Sequence, residues 1–338
     1  TNEDEDLNQE DNSERILIID GMNLFLRNFA VLNFINDKGV HIGGLAGFLR
    51  SLGSLIKQTH PTRVYIVFDG IGSSLNRKNL VPEYKSNRMI TRITNFKSFN
   101  NIKEEHESKI NQIDCLIHYL RCLPVKLISM EKVEADDVIS HLSTTLTYSN
   151  PKNKVIIVSA DNDFMQLIND QITIFRPMEG EFYTSKNVKE KFNVYPHNFI
   201  IYKTLMGDNS DKIVGVKGLG KGKLEKLYPE VLNNEKITLD EILKISESKY
   251  DQHVIYSRFI FNYKDLEKTH KIMDLSNPML DDIEKNIILD LINENTKKLD
   301  SASFLKMYHE DGLGSVVRNV EYWVREVFDK LDRYNRSK

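Results

Sequence analysis

Three apolar runs in the chain each end on an aspartate. They read ILIID, VYIVFD and VIIVSAD, and their last residues are Asp20, Asp69 and Asp161. Continuous apolar runs of this kind are typical of strands buried on both faces of a parallel sheet. Ligand sites in such sheets form beyond the carboxyl ends of the strands, so we expect the three carboxylates to converge. Any one of them alone is more simply explained as a helix cap or a turn residue.

Six further acidic residues follow in the short segments EADD, DND and GDNSD: Glu134, Asp136, Asp137, Asp163, Asp208 and Asp211. Nine carboxylates near one site would repel each other unless cations lie between them. Ligands that are all oxygen favour magnesium or manganese over zinc. The sequence therefore predicts a site for divalent metal, with magnesium or manganese as the expected ion.

Each acidic segment also has a simpler explanation. Acids at the start of a helix are favoured by the helix dipole, although three acids in four positions would still repel each other. Asp163 with Gln166 three residues later resembles a capping box. Asp208 and Asp211 flank a short loop that is compatible with an ordinary turn.

The glycine-rich segment GVKGLGKGK spans residues 215–223. It nearly matches a nucleotide-binding P-loop, but Gly222 replaces the Ser or Thr and no strand is expected before it. A hairpin between two helices fits better, because its backbone amides and lysines can contact a phosphate without reading sequence. The expected contacts are Gly215, Lys217, Gly218, Gly220, Lys221 and Lys223.

Residues 76–97 contain six basic side chains and one acid, Glu83, with Tyr84 and Phe96 interleaved. Such a segment is compatible with an ordinary solvated face. Aromatic and basic residues together also suit a single nucleic-acid strand, because bases stack on rings and phosphates pair with cations. Since the segment follows the strand that ends at Asp69, it is expected to overhang the acids. The candidate contacts are Arg77, Lys78, Tyr84, Lys85, Arg88 and Arg92.

The alternation of apolar strands and helical patterns predicts an α/β fold with a mostly parallel central sheet flanked by helices. Strands are expected at 16–20, 64–69, 125–129, 155–160 and 171–175. Helices are expected at 43–58 and 109–121, from EADD onward, and near Asp163. Four regions follow: an acidic tail at 1–14, a core at 15–205 with an insertion at 72–110, a hairpin region at 206–275 and a helical region at 276–338. Trp323, Val324 and Phe328 are expected to pack into the core.

Charge and cysteine content place limits on the class of protein. The formal net charge is −3, but residues 1–14 hold seven acids and no base, so the remaining chain carries +4. This polar segment is expected to be disordered and dispensable for folding. No apolar run is long enough to span a membrane and no leader is visible, and Cys115 and Cys122 are expected to be reduced thiols, which favours the cytoplasm.

The motifs IIDGMN, VFDG, PEYKSNR, VEADD, SADND, MGDNSD and GVKGLGKGK, in this order, resemble the 5′-nuclease superfamily. This superfamily includes flap endonucleases, the 5′-nuclease domain of bacterial DNA polymerase I and bacteriophage 5′→3′ exonucleases. The resemblance covers about residues 15–275, and the short PEYKSNR segment is most similar to the bacteriophage branch, including the phage ribonuclease H type. It implies a PIN-like core with a helical arch at 72–110 and a helix–three-turn–helix at the glycine segment.

The resemblance also implies a role for each acid. One metal would be bound by Asp20, Asp69, Glu134, Asp136 and Asp137. Asp161 would lie between the two metals, and Asp163, Asp208 and Asp211 would serve the second, partly through water. In the arch, Lys85 and Arg88 match the family's active-site cations and Tyr84 matches a base-stacking position. The glycine hairpin would grip duplex and hold a potassium ion on backbone carbonyls.

The expected function is therefore cleavage at 5′ ends or flaps of DNA or RNA–DNA during replication, including removal of RNA primers. The expected state is a monomer in the cytoplasm, or in the host cytoplasm if the chain is phage-encoded. The expected protein partner is a single-strand-binding or other replication protein. Two alternatives remain at this point: a metal-dependent ribonuclease that acts on RNA alone, and a non-catalytic accessory that binds structured DNA. The full set of acids argues against the second alternative.

Overall fold

A computed structural model describes residues 13–86, 92–314 and 316–336. Its centre is a six-stranded sheet in the order β3-β2-β1-β4-β5-β6. The first five strands are parallel and β6 is antiparallel to β5. The mostly parallel sheet predicted from the apolar runs is confirmed. The strands are β1 (Arg15–Asp20), β2 (Arg63–Phe68), β3 (Lys126–Ser129), β4 (Lys154–Val158), β5 (Ile172–Arg176) and β6 (Glu181–Tyr183).

The sheet is buried on both faces, as continuous apolar strands require. In β1, Ile16 and Ile18 pack into one hydrophobic cluster, whereas Leu17 and Ile19 pack into a second cluster on the opposite face. The second face is covered by α1 (Gly21–Val31), α2 (Gly43–Thr59), α4 (Ile102–Arg121), α13 (Ser301–Glu310) and α14 (Val320–Arg336).

The first face is covered by α5 (Ala135–Ser149), and the hydrophobic cluster on this side continues into helices from the second half of the chain. These are α6 (Ser185–Phe192), α7 (Phe199–Met206), α8 (Lys221–Leu227), α9 (Leu239–Ser248), α10 (Val254–Phe261), α11 (Tyr263–Met273) and α12 (Asp282–Asn293). A small antiparallel pair, β7 (Gly207–Asp208) and β8 (Ile213–Val214), follows α7. The short helix α3 (Leu75–Leu80) begins the segment that was predicted to form an arch.

Several local predictions are wrong. Helix α4 begins at Ile102 instead of 109, because Asn101 caps it by accepting a hydrogen bond from the Glu104 amide at 2.9 Å. Helix α1 and strand β6 were not predicted. The capping box at Asp163 is also absent, since Asp161 is the cap of the 3₁₀ helix Asn162–Leu167.

The end of the acidic tail was placed too late in the chain. Glu14 is buried and its carboxylate pairs with Arg63 at 2.8 Å, while its amide donates to Asn153 Oδ1 at 2.8 Å. Glu14 is therefore part of the folded chain, directly before the first strand. The predicted disorder of residues 1–12 lies outside the described residues.

The carboxyl-terminal helix α14 is part of the core, as predicted. Trp323, Val324 and Phe328 are all buried. The Trp323 ring packs so closely on α2 that a Cβ at Gly53 would lie 2.6 Å from it. Cys115 and Cys122 form no disulfide. Within the described ranges, no helix combines the length and apolar character needed to cross a bilayer.

Candidate metal centre

The carboxyl ends of β1, β2 and β4 bring Asp20, Asp69 and Asp161 to one edge of the sheet. Asp20 is the last residue of β1 and caps α1, accepting from the Asn23 amide at 3.1 Å and from Ser159 Oγ at 2.9 Å. Burial raises the pKa of Asp20 to about 7, and the nearby charges of Asp69 and Asp161 add to this rise. A carboxylate in this position is stabilised by a cation.

Backbone hydrogen bonds attach these aspartates to neighbouring elements. Asp69 Oδ1 accepts from the Ala135 amide at 2.8 Å, which connects β2 to the start of α5. Asp161 Oδ1 accepts from the Asp163 amide at 2.9 Å and so fixes the turn after β4. The capping roles predicted as simple alternatives are real, and they position the carboxylates at the edge.

The start of α5 adds Glu134 and Asp136 to this edge. The pKa of Asp136 is raised well above its usual value by burial and by the charges of Asp161 and Asp20, whereas Lys85 opposes the rise. Glu134 Oε2 accepts from Lys85 Nζ at 2.8 Å. Its other oxygen, Oε1, is buried without a hydrogen-bond partner. A buried orphaned carboxylate oxygen fits a site that binds a cation.

Asp137, at the start of α5, is paired with a buried arginine, and its role as a metal ligand stays a prediction. Both of its oxygens accept from the Arg77 guanidinium, at 2.7 and 2.9 Å, and Oδ1 also accepts from the Met279 amide. Arg77 is itself 4% exposed and lies 3.2 Å from Glu134, which excludes it from the predicted DNA surface. The Asp137 and Glu134 charges raise the pKa of Arg77 despite its burial.

Tyr84 and Lys85 also lie inside the site. Tyr84 is 3% exposed and its hydroxyl donates to Glu134 at 3.2 Å, so its ring is not available here for the predicted base stacking. Lys85 has φ of 52°, a left-handed conformation that costs a lysine about 1–3 kcal/mol. Its amide donates to the Asp211 carbonyl at 3.0 Å, which holds this conformation. Arg88 lies outside the described residues.

Lys203 is a site residue that the sequence analysis missed. It is 7% exposed, and its ammonium group pairs with Asp163 and, at 2.7 Å, with Asp208. Although burial acts to raise the pKa of Asp208, Lys203 and Ser210 lower it to about 2. The available signal was a lone lysine in the otherwise apolar helix sequence FIIYKTLM.

The loop that carries Asp208 and Asp211 is closed by two glycines. Gly207 has φ of 76°, and a Cβ on Gly215 would collide with the Gly207 backbone. The β7–β8 pair thus brings the ends of the loop together, and Asp211 is buried beside the arch segment. Gly215, predicted as a phosphate contact, has this packing role.

The acids are grouped in space, but the described part of the chain holds no group of three or more His, Cys, Asp or Glu side chains at metal-ligand spacing. Lysine and arginine side chains instead occupy positions between the acids. The oxygen-only donor set and the orphaned Glu134 oxygen both fit a hard divalent cation. The residues are therefore of the chemical type that binds a hard divalent cation.

The predicted nucleic-acid contacts that remain on the surface lie in two places. Lys78 and Arg92 are exposed in the segment that was predicted to form an arch, and Lys217, Lys221 and Lys223 are exposed on the glycine hairpin. A Cβ at Gly220 would meet no atom within 4 Å, so its backbone is open, whereas Gly218 has φ of 84° and forms the turn.

The strand before the glycine segment is the two-residue β8, which was not predicted. It belongs to an antiparallel pair and not to the central sheet, so the segment lacks the strand–loop–helix arrangement of a P-loop. The P-loop alternative has no structural support in this region.

The comparisons with known proteins agree with this arrangement. The family model described as the 5′-3′ exonuclease N-terminal, resolvase-like domain matches residues 15–193. The 5′-3′ exonuclease of Bacillus subtilis (strain 168) is 32% identical over 228 residues, which is 65% of this chain and 71% of that protein. The chain therefore belongs to the 5′-3′ exonuclease family.

Two further relatives define the extent of the similarity. DNA polymerase I of Bacillus subtilis (strain 168) is 32% identical over 70% of this chain, and the chain spans only 25% of that protein. A bacteriophage T5 flap endonuclease, crystallised with DNA and metal ions, has a TM-score of 0.63 at 19% identity, covering 94% of this chain and 99% of that one. At this identity, the second likeness shows the fold alone.

Proposed function

We propose that this chain is a structure-specific 5′ nuclease that cleaves 5′ ends and flaps of DNA or RNA–DNA with two divalent ions, Mg²⁺ or Mn²⁺. The observation that carries the proposal is the acid edge: the pKa of Asp20 is raised to about 7, and Glu134 keeps a buried oxygen without a partner. Such an edge is costly unless it binds cations. Membership of the 5′-3′ exonuclease family supports the same reaction.

Asp20, Asp69, Glu134, Asp136 and Asp161 would hold one ion, and Asp163, Asp208 and Asp211 would serve the second. When bound, the ions supply an activated water and neutralise charge on the phosphate. Lys85, held at the acid edge by Glu134, is positioned to stabilise charge on the same phosphate, and Arg88 is proposed to assist it. The products would be a 5′-phosphorylated fragment and a 3′ hydroxyl.

The lysine side chains of the glycine hairpin would bind the duplex by contacting its phosphates. The same hairpin would hold a potassium ion on backbone carbonyls that have no other cationic partner. Two of its carbonyls already have cationic partners, since Arg258 donates to the Lys217 carbonyl at 2.9 Å and Lys223 to the Gly218 carbonyl at 3.1 Å. We also propose a replication partner, a monomeric state, a cytoplasmic location and a phage origin, as expected from the sequence.

A gel assay with a labelled 5′-flap duplex, with and without Mg²⁺, tests the function. We expect cleavage only with the metal. Asp69→Asn and Asp136→Asn should abolish cleavage but leave duplex binding within a few-fold. Undiminished cleavage in chelator would refute the metal mechanism. Cleavage of RNA alone would support the ribonuclease alternative, and binding without cleavage would support the accessory alternative.

A further inference from the structure

The carboxyl-terminal end of α11 receives hydrogen bonds from two side chains of the candidate centre. The last carbonyls of a helix have no partner within the helix. Arg77 Nε donates to the Ile272 carbonyl at 2.8 Å, and Gln166 Nε2 donates to the Met273 carbonyl at 3.0 Å. Both side chains also form hydrogen bonds with residues of the acid cluster. This helix end therefore connects α11 to the acid cluster.

Gln166 uses the whole of its amide group at this joint. Besides Met273, its Nε2 donates to the Asp163 carbonyl at 2.9 Å, and its Oε1 accepts from the Leu275 amide at 2.9 Å. Asp163 in turn donates its amide to Asp161 Oδ1. One side chain therefore fixes the backbone of the Asp161–Asp163 turn to a segment more than a hundred residues later.

The other end of this connection reaches the glycine hairpin. Arg258 of α10 donates to the Lys217 carbonyl at 2.9 Å, and Phe259 of α10 packs on Tyr263 of α11 with ring centroids 5.8 Å apart. The exposed hairpin lysines and the acid turn are thus joined through α10, α11 and Gln166. No other described side chain bonds both the acid turn and the α11 end.

We propose that Gln166 is a positioning residue, which fastens the Asp161–Asp163 turn to α11 so that the duplex-binding hairpin and the metal-binding acids keep a fixed relative position. The proposal rests on the proposed nuclease function. Gln166 contacts neither phosphate nor metal in this role. It acts through the backbone of Asp163, and residues that orient metal ligands in this way typically change metal affinity by about 10–100-fold when removed.

The chain offers a matched control in Gln171. Its Nε2 also donates to three backbone carbonyls, those of Thr147, Asn150 and Asn153, at 3.1 to 3.3 Å. These carbonyls lie near the amino ends of the strands, at the opposite edge of the sheet from the acids. Replacing either glutamine by methionine keeps the length of the side chain and removes its hydrogen bonds.

Gln166→Met and Gln171→Met should lower the melting temperature to a similar extent. Only Gln166→Met should raise the Mg²⁺ concentration at half-maximal rate, by about tenfold, and lower kcat by a similar factor. Its Kd for the flap duplex in Ca²⁺ should stay within twofold of that of the parent chain. Equal kinetic effects in the two variants, or none in Gln166→Met, would overturn the proposal.

Metal binding in the absence of DNA provides a readout that does not depend on cleavage. Calorimetric titration with Mn²⁺ should give an affinity about tenfold weaker for Gln166→Met than for the parent chain and unchanged for Gln171→Met. An unchanged affinity in Gln166→Met would overturn the positioning role. If the parent chain binds Mn²⁺ but cleaves no flap, the proposed function fails, and this titration still decides the role of Gln166.

Discussion

Two lysines serve as internal counter-ions of the acid cluster. Lys85 neutralises Glu134 on one side of the edge, and Lys203 neutralises Asp163 and Asp208 on the other. Both ammonium groups lie among carboxylates that are proposed to bind metal. Their removal should therefore affect different properties, because only Lys85 belongs to the segment that was predicted to overhang the edge.

Lys203→Met should destabilise the protein when metal is absent, because Asp163 and Asp208 would then face each other without a cation. Breaking a fully buried pair costs about 3–5 kcal/mol, and the partial exposure of Asp208 reduces the expectation to about 2 kcal/mol. The Lys57–Glu326 pair is exposed, so Lys57→Met is the control and should change stability by less than about 0.5 kcal/mol.

Urea unfolding of both variants, with and without Mg²⁺, measures this difference. Added Mg²⁺ should restore part of the stability of Lys203→Met and leave Lys57→Met unchanged. An equal loss in the two variants would mean that Lys203 contributes no more to stability than an exposed lysine does.

Lys85→Ala should reduce single-turnover cleavage by about 10² or more, the scale for loss of one electrostatic donor to a developing charge. Binding of the flap duplex should change little. Lys78→Ala is the comparison, because Lys78 is exposed on α3 and should affect only binding. Rapid-quench kinetics with saturating enzyme would separate these effects, and an unchanged rate for Lys85→Ala would remove it from the mechanism.

Among the elements, the loop between β7 and β8 depends on the contact between Gly207 and Gly215. Gly215→Ala places a methyl group against the Gly207 backbone and should cost about 1–3 kcal/mol, with a loss of cleavage because Asp208 and Asp211 move. Gly222→Ala in α8 meets no atom within 4 Å and should stabilise the helix by up to about 1 kcal/mol.

Thermal unfolding and flap cleavage of both glycine variants test this prediction. If Gly215→Ala cleaves as well as the parent chain, the loop position is not important for activity.

The glycine hairpin should bind duplex and not nucleotide. Lys217→Ala and Lys221→Ala should weaken binding to the same extent for all sequences, and each should reduce the slope of log Kd against log salt by about 1. Fluorescence anisotropy at several salt concentrations measures that slope. Specific ATP binding by the purified protein would contradict this role and support the P-loop alternative.

The sequence predicted the parts of the site that depend on strand ends. Apolar runs determine which segments become buried strands, and parallel strands must present their carboxyl ends together. Asp20, Asp69 and Asp161 could therefore be placed at one edge from the sequence. The same reasoning placed Glu134 and Asp136 at the start of a neighbouring helix, where the structure has them.

The roles of Arg77, Tyr84, Asp137 and Lys203 could not be predicted in this way. Composition cannot distinguish a basic residue on a surface from one buried beside acids, because the difference depends on long-range packing. Arg77, for example, is held by Asp137 and by the carbonyl of Ile272, which lie 60 and 195 residues away. Local patterns contain no information about such partners.

At the scale of the whole molecule, the position at which the folded chain begins affects truncation experiments. Deleting residues 1–12 should leave the melting temperature nearly unchanged. Deleting residues 1–14 should lower it, because Glu14 pairs with Arg63 and its amide bonds Asn153. Removal of the six acids in residues 1–12 should also tighten DNA binding at low salt, and this effect should fade as salt screens the charges.

Differential scanning fluorimetry and DNA titrations at two salt concentrations compare the two deletions. Equal melting temperatures for the two deletions would show that the Glu14 contacts do not contribute to thermal stability. An unchanged affinity at low salt would place the acidic segment far from the path of the DNA.

The pairing of the central strand β1 also affects how the protein is made. On one side it pairs with β2, but on the other Ile16 pairs with Val155, and these residues are far apart in the sequence. At about 5–20 residues per second, the ribosome needs roughly 7–28 seconds to synthesise the chain between them. During that interval one edge of β1 has no strand partner and can pair with other chains, which leads to aggregation. Chaperone supply and translation speed should therefore influence the yield of native protein.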